Sequence, residues 1–295
     1  RDLHSFPTRR SSDLYGNLKD RISVLKSKNI TPGLAVVLVG DDPASQVYIR
    51  SKTKKFNQLG LNNESHRLSI DTSEKDLLNL IDQLNQDNQF HGILVQLPLP
   101  GHIDTQKVLE AMDPMKDVDG FHPENAGLLS IGKPRFIPCT PKGIMRILSH
   151  YNIDLTGKHV VVVGRSNIVG RPISILTSLK QAGANGTTTL CHSGTSNIPG
   201  FTRSADIVIV ALGVPQFLTG EMLKDGAVVI DVGINRINAD TEKGYRLVGD
   251  AHWESISSII SAATPVPGGV GPMTRVSMLQ NAFYALERFH SDGSS

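Results

Sequence analysis

Short apolar runs alternate with longer amphipathic segments along most of this 295-residue chain. Runs such as LAVVLVG at 34–40 and HVVVVG at 159–164 are almost continuously apolar, which is typical of strands buried on both faces of a parallel sheet. Segments such as 73–86 instead repeat apolar residues at helical spacing. Strands that alternate with helices predict βαβ units, and therefore an α/β fold with largely parallel sheets.

The strands fall into two series, which predict two domains, as the chain length also favours at about 150 residues per domain. We expect one α/β domain to comprise residues 15–139 and 273–292, with a last helix at 273–289 packed back on it. A Rossmann-like domain with a parallel sheet is expected at 140–272. Further strands are predicted at 64–70, 92–100, 187–192, 206–212 and 227–233. Further helices are predicted at 104–112 and 140–151, and another follows the turn at 165–172 and ends near Ala182. A loop is predicted at 116–129.

The first fourteen residues, RDLHSFPTRRSSDL, share no periodicity with the rest of the chain and resemble translated sequencing-adaptor tracts. We expect residues 1–14 to be non-native and an authentic start to be missing. The amphipathic spacing of Leu18, Ile22 and Leu25 indicates that the native chain resumes near Tyr15.

Composition argues against several classes of protein. The formal net charge is only +2 and the basic residues are scattered, so we expect no nucleic-acid partner. No apolar run approaches the roughly 18 to 20 residues that cross a bilayer. Cys139 and Cys191 lie far apart, and neither they nor the histidines have metal-ligand spacing. We therefore expect a cytoplasmic protein with no membrane partner and no metal.

A candidate phosphate-binding turn lies in VVVVGRSNIVGRP at 160–172. A strand that leads through Gly164 into a helix, with Gly170 six residues later, can place backbone N–H groups and a positive helix end beside a dinucleotide phosphate. The alternative is a tight strand-to-helix turn that merely needs glycine. Arg165 and Ser166 favour the first interpretation, because an arginine here can pair with the 2′-phosphate of NADP. Ser193, after the next strand, is a weaker candidate for a ribose or phosphate contact.

A candidate proton-transfer group lies in ASQVYIRSKTKKF at 44–56. Tyr48 and Lys52 are four residues apart and share a face of the predicted helix. An amine beside an aromatic ring loses solvation in its charged form, which lowers its pKa toward the working pH. The alternative is a solvated basic helix. Gln96, at the carboxyl end of a predicted strand, can hydrogen-bond and orient Lys52, or it can be structural.

Two loop motifs complete the candidates. In DVDG, Asp117 and Asp119 can both shape the turn, or Asp119 can accept two hydrogen bonds from an amino-pyrimidine ring. The segment TPVPGGVGPMT at 264–274 has three prolines and three glycines in eleven positions. Close approach of its backbone to a ligand explains this composition best.

Six motifs, in their order and separations, closely resemble the bifunctional methylenetetrahydrofolate dehydrogenase/cyclohydrolase family over about residues 15–290. They are SQVYIRSKTKK, GILVQLPLP, DVDGFHPENAGLL, PCTPKGI, GRSNIVGRP and TPVPGGVGPMT. The resemblance implies a homodimer whose catalytic, folate-binding domain and Rossmann-like NADP domain share a cleft. It implies catalytic roles for Lys52, Gln96, Tyr48 and Asp119, a folate wall that also includes Val95, Leu97, Pro265, Pro267, Gly268 and Gly269, and NADP contacts from Gly164, Arg165, Ser166, Ser193 and Ile234.

The activity implied by the resemblance is twofold, and it serves one-carbon metabolism and purine biosynthesis. NADP⁺ oxidises 5,10-methylenetetrahydrofolate to the methenyl form, which is then hydrolysed to 10-formyltetrahydrofolate. Gly194 stands where many relatives carry Lys or Arg, so binding of NAD stays an alternative. Two other functions stay open: a dehydrogenase of similar fold that acts on another small substrate, and a cofactor-binding protein without catalysis.

Overall fold

The computed structural model describes residues 20–25, 31–41, 56–242 and 244–292. Within these residues, contacts group 20–137 and 275–292 into one compact unit, called here the first unit, and 138–274 into the second unit. The predicted domain boundaries, after residues 139 and 272, differ from these divisions by two residues each. The functions assigned to the two domains stay predictions at this point.

The leader at 1–14 and the residues Tyr48 and Lys52 lie outside the described part of the chain. Phe56, four residues after Lys52 and therefore on the same face of the predicted helix, is described, and its side chain is fully buried. Ile22 is buried in a short helical stretch at 20–25. None of the described helices is long and apolar enough to cross a membrane.

The first unit contains a three-stranded parallel sheet in the order β2-β1-β3, formed by β1 (Gly33–Val39), β2 (Asn62–Leu68) and β3 (Gly92–Val95). All seven residues of the central strand β1 are buried, as its continuous apolar sequence predicts. The predicted strand at 92–100 is shorter in the structure, since β3 ends at Val95 and prolines follow at 98 and 100.

Three helices of the first unit begin at recognisable caps. In α1 (Glu74–Gln86), the Ser73 hydroxyl accepts a hydrogen bond from the Asp76 N–H, and in α2 (Thr105–Ala111), Asp104 accepts from two N–H groups. The expected loop at 116–129 is partly wrong, because residues Pro123–Ser130 form α3. His122 caps this helix through Nδ1, and Pro123 suits its first position.

The second unit contains a five-stranded parallel sheet in the order β10-β7-β6-β4-β5. Its strands are β4 (His159–Val163), β5 (Thr187–Cys191), β6 (Ile207–Val210), β7 (Val228–Asp231) and β10 (Ala262–Ala263). Its helices are α4 (Cys139–His150), α5 (Gly170–Ser178), α6 (Ile198–Ser204) and α7 (Trp253–Ile256), with a 3₁₀ turn at Gly220–Met222. A separate antiparallel hairpin is formed by β8 (Asn235–Asn238) and β9 (Tyr245–Val248).

The strand order creates a topological switch point at β4. The chain passes from β4 to β5 on one side and then returns to β6 on the other side of β4. The loops that leave β4 and β6 therefore diverge at the carboxyl edge of the sheet, which is where open α/β sheets bind ligands. Together with the parallel sheet of the first unit, this topology confirms the predicted two-domain α/β class.

The last helix, α8 (Val270–Asp292), belongs to the first unit from residue 275 onward. Its Asn281 amide donates to the carbonyl oxygens of Val118 and Ile137, at 2.8 and 2.9 Å, and its Tyr284 ring packs edge-on against Phe136. The prediction that the last helix packs back on the first domain is therefore confirmed.

Candidate functional site

The glycine-rich turn after β4 is tightly folded. Gly164 has φ +122°, and a Cβ there would lie 2.2 Å from the carbonyl oxygen of Ala211, at the end of β6. A Cβ at Gly170 would lie 1.9 Å from the carbonyl oxygen of Gly164. Both positions therefore require glycine for the turn itself, as the simpler interpretation predicts. This requirement is compatible with a phosphate site, because it brings the loop backbone close to the sheet edge.

The N–H groups available to an anion belong to the loop before α5 and not to its first turn. The Gly170 N–H donates to the Ser166 hydroxyl at 3.3 Å, and the Arg171 N–H donates to the Ser166 carbonyl at 3.0 Å. Arg165, Asn167 and Ile168 are exposed residues, and their N–H groups donate to no other described residue. The N–H groups of the preceding loop are therefore the ones that suit a phosphate, and the predicted phosphate site at this turn stays a prediction.

Three other predicted cofactor residues follow strands β4, β5 and β7 at the same edge of the sheet. Arg165 and Ser193 are exposed and lie two residues beyond the ends of β4 and β5, whose last residues, Val163 and Cys191, are paired in register. Ile234 follows β7, and its side chain is 54% exposed. The structure thus brings Arg165, Ser193 and Ile234 to one edge, with side chains accessible to a ligand.

Two buried carboxylates lie beneath this edge. Asp231 accepts hydrogen bonds from the N–H groups of Gly233, Asp250 and Ala251, at 2.9, 3.0 and 2.9 Å. Burial raises the pKa of Asp231 to about 6, although these three donors act in the opposite direction. Asp250 accepts from the N–H groups of Leu212 and Gly213 and from the Asn235 amide. Both carboxylates therefore fix the backbone of loops at the carboxyl edge of the sheet.

The predicted folate wall at 265–269 follows β10. Gly268 has φ +111°, and a Cβ at Gly269 would lie 2.6 Å from the carbonyl oxygen of Pro265. The fold of the loop therefore accounts for both glycines, and their presence alone does not require a ligand. Pro265, Pro267 and the two glycines line a small cavity together with Ile234, a predicted cofactor contact.

A larger cavity, of about 420 Å³, adjoins the small one in the second unit and shares Asp231, Pro265 and Val266 with it. Arg246, Trp253 and Glu254 line it, together with Asp231 and Pro265. Of the predicted cofactor residues, none lines this cavity. The larger cavity therefore borders the predicted site through shared residues and contains none of the predicted cofactor contacts.

In the first unit, Gln96 follows β3 and continues its hydrogen bonding. Its N–H donates to the Val37 carbonyl at 2.9 Å, and its side-chain Nε2 donates to the Leu97 carbonyl at 2.8 Å. Its side-chain Oε1 is buried and has no hydrogen-bond partner among the described residues. A buried acceptor without a donor is costly, so this oxygen is suited to receive an amine or a ligand N–H group. Val95 is buried and Leu97 half-buried beside it.

The two aspartates of DVDG differ in environment. Asp117 is fully buried and accepts hydrogen bonds from the Gly120 and His122 N–H groups and from the Asn125 amide. Burial raises its pKa, against the effect of these donors. Asp119 is only half-buried and accepts no hydrogen bond from another described residue. Asp117 therefore shapes the loop, and the Asp119 carboxylate remains available to a ligand.

Four polar or charged groups in the two units were not predicted from the sequence. Asp231 and Asp250 were not singled out, since no local pattern marks a carboxylate that accepts from distant backbone. Arg135 donates to the Asn125 side chain and so extends the network of Asp117. Lys142 lies in the quoted PCTPKGI motif, and burial lowers the pKa of its amine to about 8. The motif was the available signal for Lys142, but spacing alone did not show its burial.

Comparison with known proteins places the chain in a family. The model of the tetrahydrofolate dehydrogenase/cyclohydrolase catalytic domain matches residues 8–119, and that of the NAD(P)-binding domain matches residues 138–290. The chain is 54% identical over 278 residues to the bifunctional protein FolD of Pelobacter propionicus, covering 94% of this chain and 95% of that protein.

Two solved structures are similar over nearly the whole chain. The FolD methylenetetrahydrofolate dehydrogenase/cyclohydrolase of Campylobacter jejuni has a TM-score of 0.89 and 45% identity, covering 95% of this chain and 96% of that one. The Trypanosoma brucei enzyme, complexed with NADP cofactor and an inhibitor, has a TM-score of 0.89 and 35% identity, covering 95% of each chain. Family models, identity and fold agree, and the chain belongs to the tetrahydrofolate dehydrogenase/cyclohydrolase family.

Proposed function

We propose that this protein is a bifunctional, NADP-dependent enzyme of one-carbon folate metabolism. It oxidises 5,10-methylenetetrahydrofolate to 5,10-methenyltetrahydrofolate and hydrolyses the product to 10-formyltetrahydrofolate. The observation that carries the proposal is the 54% identity, over 94% of the chain, to a bifunctional protein FolD. A dehydrogenase for another small substrate is not favoured, because both halves of the chain match domains of one folate family.

The carboxyl edge of the five-stranded sheet fits NADP. The exposed loop N–H groups of Arg165, Asn167 and Ile168 suit a phosphate, and the Arg165 guanidinium suits the 2′-phosphate. Ser193 and Ile234 supply further contacts at the same edge. When bound there, NADP⁺ supplies the hydride acceptor for the oxidation. The protein supplies position and orientation for that transfer.

The first unit supplies the groups for folate binding and proton transfer. We assign the Lys52 amine as the donor to the buried Gln96 Oε1, which lacks a partner among the described residues. Asp119, whose carboxylate is available, anchors the amino-pyrimidine ring of the pterin through two hydrogen bonds. In the hydrolysis, the neutral Lys52 amine takes a proton from water as the water oxygen adds to the methenyl carbon. The C–N5 bond then breaks as the formyl C=O forms, and the proton of the adduct's hydroxyl group passes to N5, so the reaction releases one proton overall. We also assign a folate contact to Tyr48.

A two-part assay tests this function. Purified protein is incubated with methylenetetrahydrofolate and NADP⁺ while NADPH formation is recorded, and it is separately given methenyltetrahydrofolate while loss of the methenyl absorbance is recorded. We expect both signals above the uncatalysed background. A protein that binds NADPH but produces neither signal would be the cofactor-binding protein without catalysis.

Replacing Arg165 by Ala is expected to weaken NADP⁺ binding more than NAD⁺ binding. The charged hydrogen bond that is lost involves only the 2′-phosphate, so the expected change in Kd is about tenfold for NADP⁺ and less than about twofold for NAD⁺. Titration of intrinsic fluorescence with each nucleotide measures both constants. Arg171→Ala, in the first turn of α5, is the control and should leave the preference unchanged. Equal losses for both nucleotides in Arg165→Ala would show that Arg165 does not read the phosphate.

The proposal extends to the oligomeric state and the cellular location of the protein. We propose a homodimer, which light scattering during size-exclusion chromatography would detect as twice the 32.0 kDa of one chain. A cytoplasmic enzyme that supplies formyl groups for purine biosynthesis is the corresponding physiological assignment.

A further inference from the structure

The loop after β6 lies at the switch point of the five-stranded sheet and is held by one buried carboxylate. Asp250 is fully buried, and its Oδ2 accepts hydrogen bonds from the N–H groups of Leu212 and Gly213, at 2.6 and 2.9 Å. The residue before them, Ala211, is the one whose carbonyl oxygen would lie 2.2 Å from a Cβ at Gly164. The position of this loop therefore sets the distance between the end of β6 and the glycine-rich turn after β4.

The other oxygen of the same carboxylate holds the loop after β7. Asp250 Oδ1 accepts from the Asn235 amide at 2.8 Å, and Gly233, two residues earlier, donates its N–H to Asp231 at 2.9 Å. Ile234 lies between these two attachments and remains 54% exposed. The loop backbone is thus fixed on both sides of a side chain that faces outward.

Asp231 connects the two attachments. Its Oδ1 accepts both the Gly233 and the Asp250 N–H groups, so the backbone of Asp250 is itself fixed by the strand end of β7. A Cβ at Gly249 would lie 1.8 Å from Asp231 Oδ2, and one at Gly233 would lie 2.2 Å from Asp250 Oδ1. Little free space surrounds either carboxylate, so their geometry is defined by close packing as well as by hydrogen bonds.

We propose that Asp250 is a positioning residue for dinucleotide binding, which sets the loops after β6 and β7 at the switch point of the five-stranded sheet. Asp250 acts through other parts of the protein, since its carboxylate accepts from two backbone N–H groups and from the Asn235 side chain. The inference rests on the proposed function, because it assigns the nucleotide to this edge. Its main measurement is NADPH binding, which is independent of any folate reaction.

The test replaces Asp250 by Asn, which keeps the volume but leaves one acceptor oxygen where the wild type has two. One of the two loops then faces an NH₂ group instead of an acceptor, so we expect the Kd for NADPH to rise by about tenfold or more. The dehydrogenase KM for NADP⁺ should rise in parallel. The cyclohydrolase reaction consumes no nucleotide and should stay within about twofold of wild type.

A double variant restores the hydrogen bond between positions 235 and 250 with its donor and acceptor exchanged. In the double variant Asp250→Asn with Asn235→Asp, the oxygen of the new amide at position 250 can accept from the Leu212 and Gly213 N–H groups. The NH₂ of that amide then donates to the new carboxylate at position 235. We expect the NADPH Kd to return to within about threefold of wild type. Recovery of NADPH binding would show that the single variant had displaced the loops, because a protein that had only lost stability would not regain binding through this exchange.

Asp206 provides a matched control at the opposite edge of the same sheet. Its carboxylate accepts from the His159 N–H at 2.8 Å, at the start of β4, and from Lys224 at 2.7 Å. Asp206→Asn should lower the thermal midpoint without changing the NADPH Kd by more than about twofold. An Asp250→Asn protein that binds NADPH like wild type, or a control that weakens binding equally, overturns the proposal.

A milder variant keeps the proposal testable if Asp250→Asn does not fold. Asn235→Ala removes only the amide that donates to Asp250 Oδ1, and Asn235 is half-buried. We expect this change to raise the NADPH Kd about threefold or more. An unchanged Kd would contradict the role of Asp250 in setting the loop after β7. If wild type binds NADPH but does not oxidise methylenetetrahydrofolate, the proposed function fails while this inference can still hold.

Discussion

Replacing Lys52 by Met is expected to reduce cyclohydrolase activity by about 1,000-fold or more, with NADPH binding unchanged. A positioned general base contributes about 100- to 10,000-fold, and Met has similar length but cannot take a proton. The structural support is the buried Gln96 Oε1, which has no partner among the described residues and therefore calls for a donor. The measurement is the rate of methenyltetrahydrofolate loss, compared with the NADPH Kd of the same protein.

The control for Lys52→Met is Lys54→Met, two residues away in the same basic segment. If the segment were only a solvated basic helix, both variants would keep the parental rate, because neither amine would touch the folate. We expect Lys54→Met to stay within about twofold of wild type. Hydrolysis by Lys52→Met at the parental rate would show that Lys52 has no role in proton transfer.

The strands that the sequence predicts well are those buried on both faces. The valine-rich segments at 34–40 and 159–164 carry enough apolar character to identify them without any partner, and both are strands in the structure. The hairpin of β8 and β9 was missed because its strands, NRIN and YRLV, are short and half polar. Such strands are defined by pairing with each other, which a local pattern does not reveal.

Helix ends were predicted less well than helix cores. The helix after the phosphate turn was expected to reach about Ala182, but α5 ends at Ser178 because Leu179 is extended. The Thr177 carbonyl then accepts a hydrogen bond from the Gly186 N–H. The eight-residue helix α3 was hidden within Gly-, Pro- and Asp-rich sequence, which is also typical of loops. Its cap, His122, depends on a ring orientation that composition cannot supply.

For the candidate site, sequence identifies the strand ends but not what holds them in place. Residues at the ends of parallel strands meet at one edge by topology, so Arg165, Ser193 and Ile234 were predictable as a group. The carboxylates of Asp231 and Asp250 were not, because each accepts from backbone that lies up to 38 residues away. Carboxylates that accept from backbone N–H groups leave no residue pattern, since every residue type except proline supplies the same donor.

Replacing Gly170 by Ala is expected to weaken NADPH binding by about 100-fold or more, equivalent to about 2.7 kcal/mol, and to abolish dehydrogenase activity at ordinary nucleotide concentrations. A Cβ at this position would lie 1.9 Å from the Gly164 carbonyl oxygen and 2.5 Å from its carbonyl carbon, so the phosphate turn must move. Backbone atoms cannot turn away as a flexible side chain can. The measurements are the NADPH Kd and kcat/KM for NADP⁺.

The cyclohydrolase rate and a glycine elsewhere distinguish a displaced turn from general unfolding. Hydrolysis requires no nucleotide, so Gly170→Ala should keep most of that activity if the protein folds. Gly127→Ala, within α3, adds a Cβ that meets nothing within 4 Å and should leave the rates of both reactions unchanged. If Gly170→Ala binds NADPH as tightly as wild type, the turn after β4 does not carry the nucleotide. A loss of both activities with a lower thermal midpoint would instead assign Gly170 to the stability of the second unit, since its closest neighbours are the backbone atoms of Gly164.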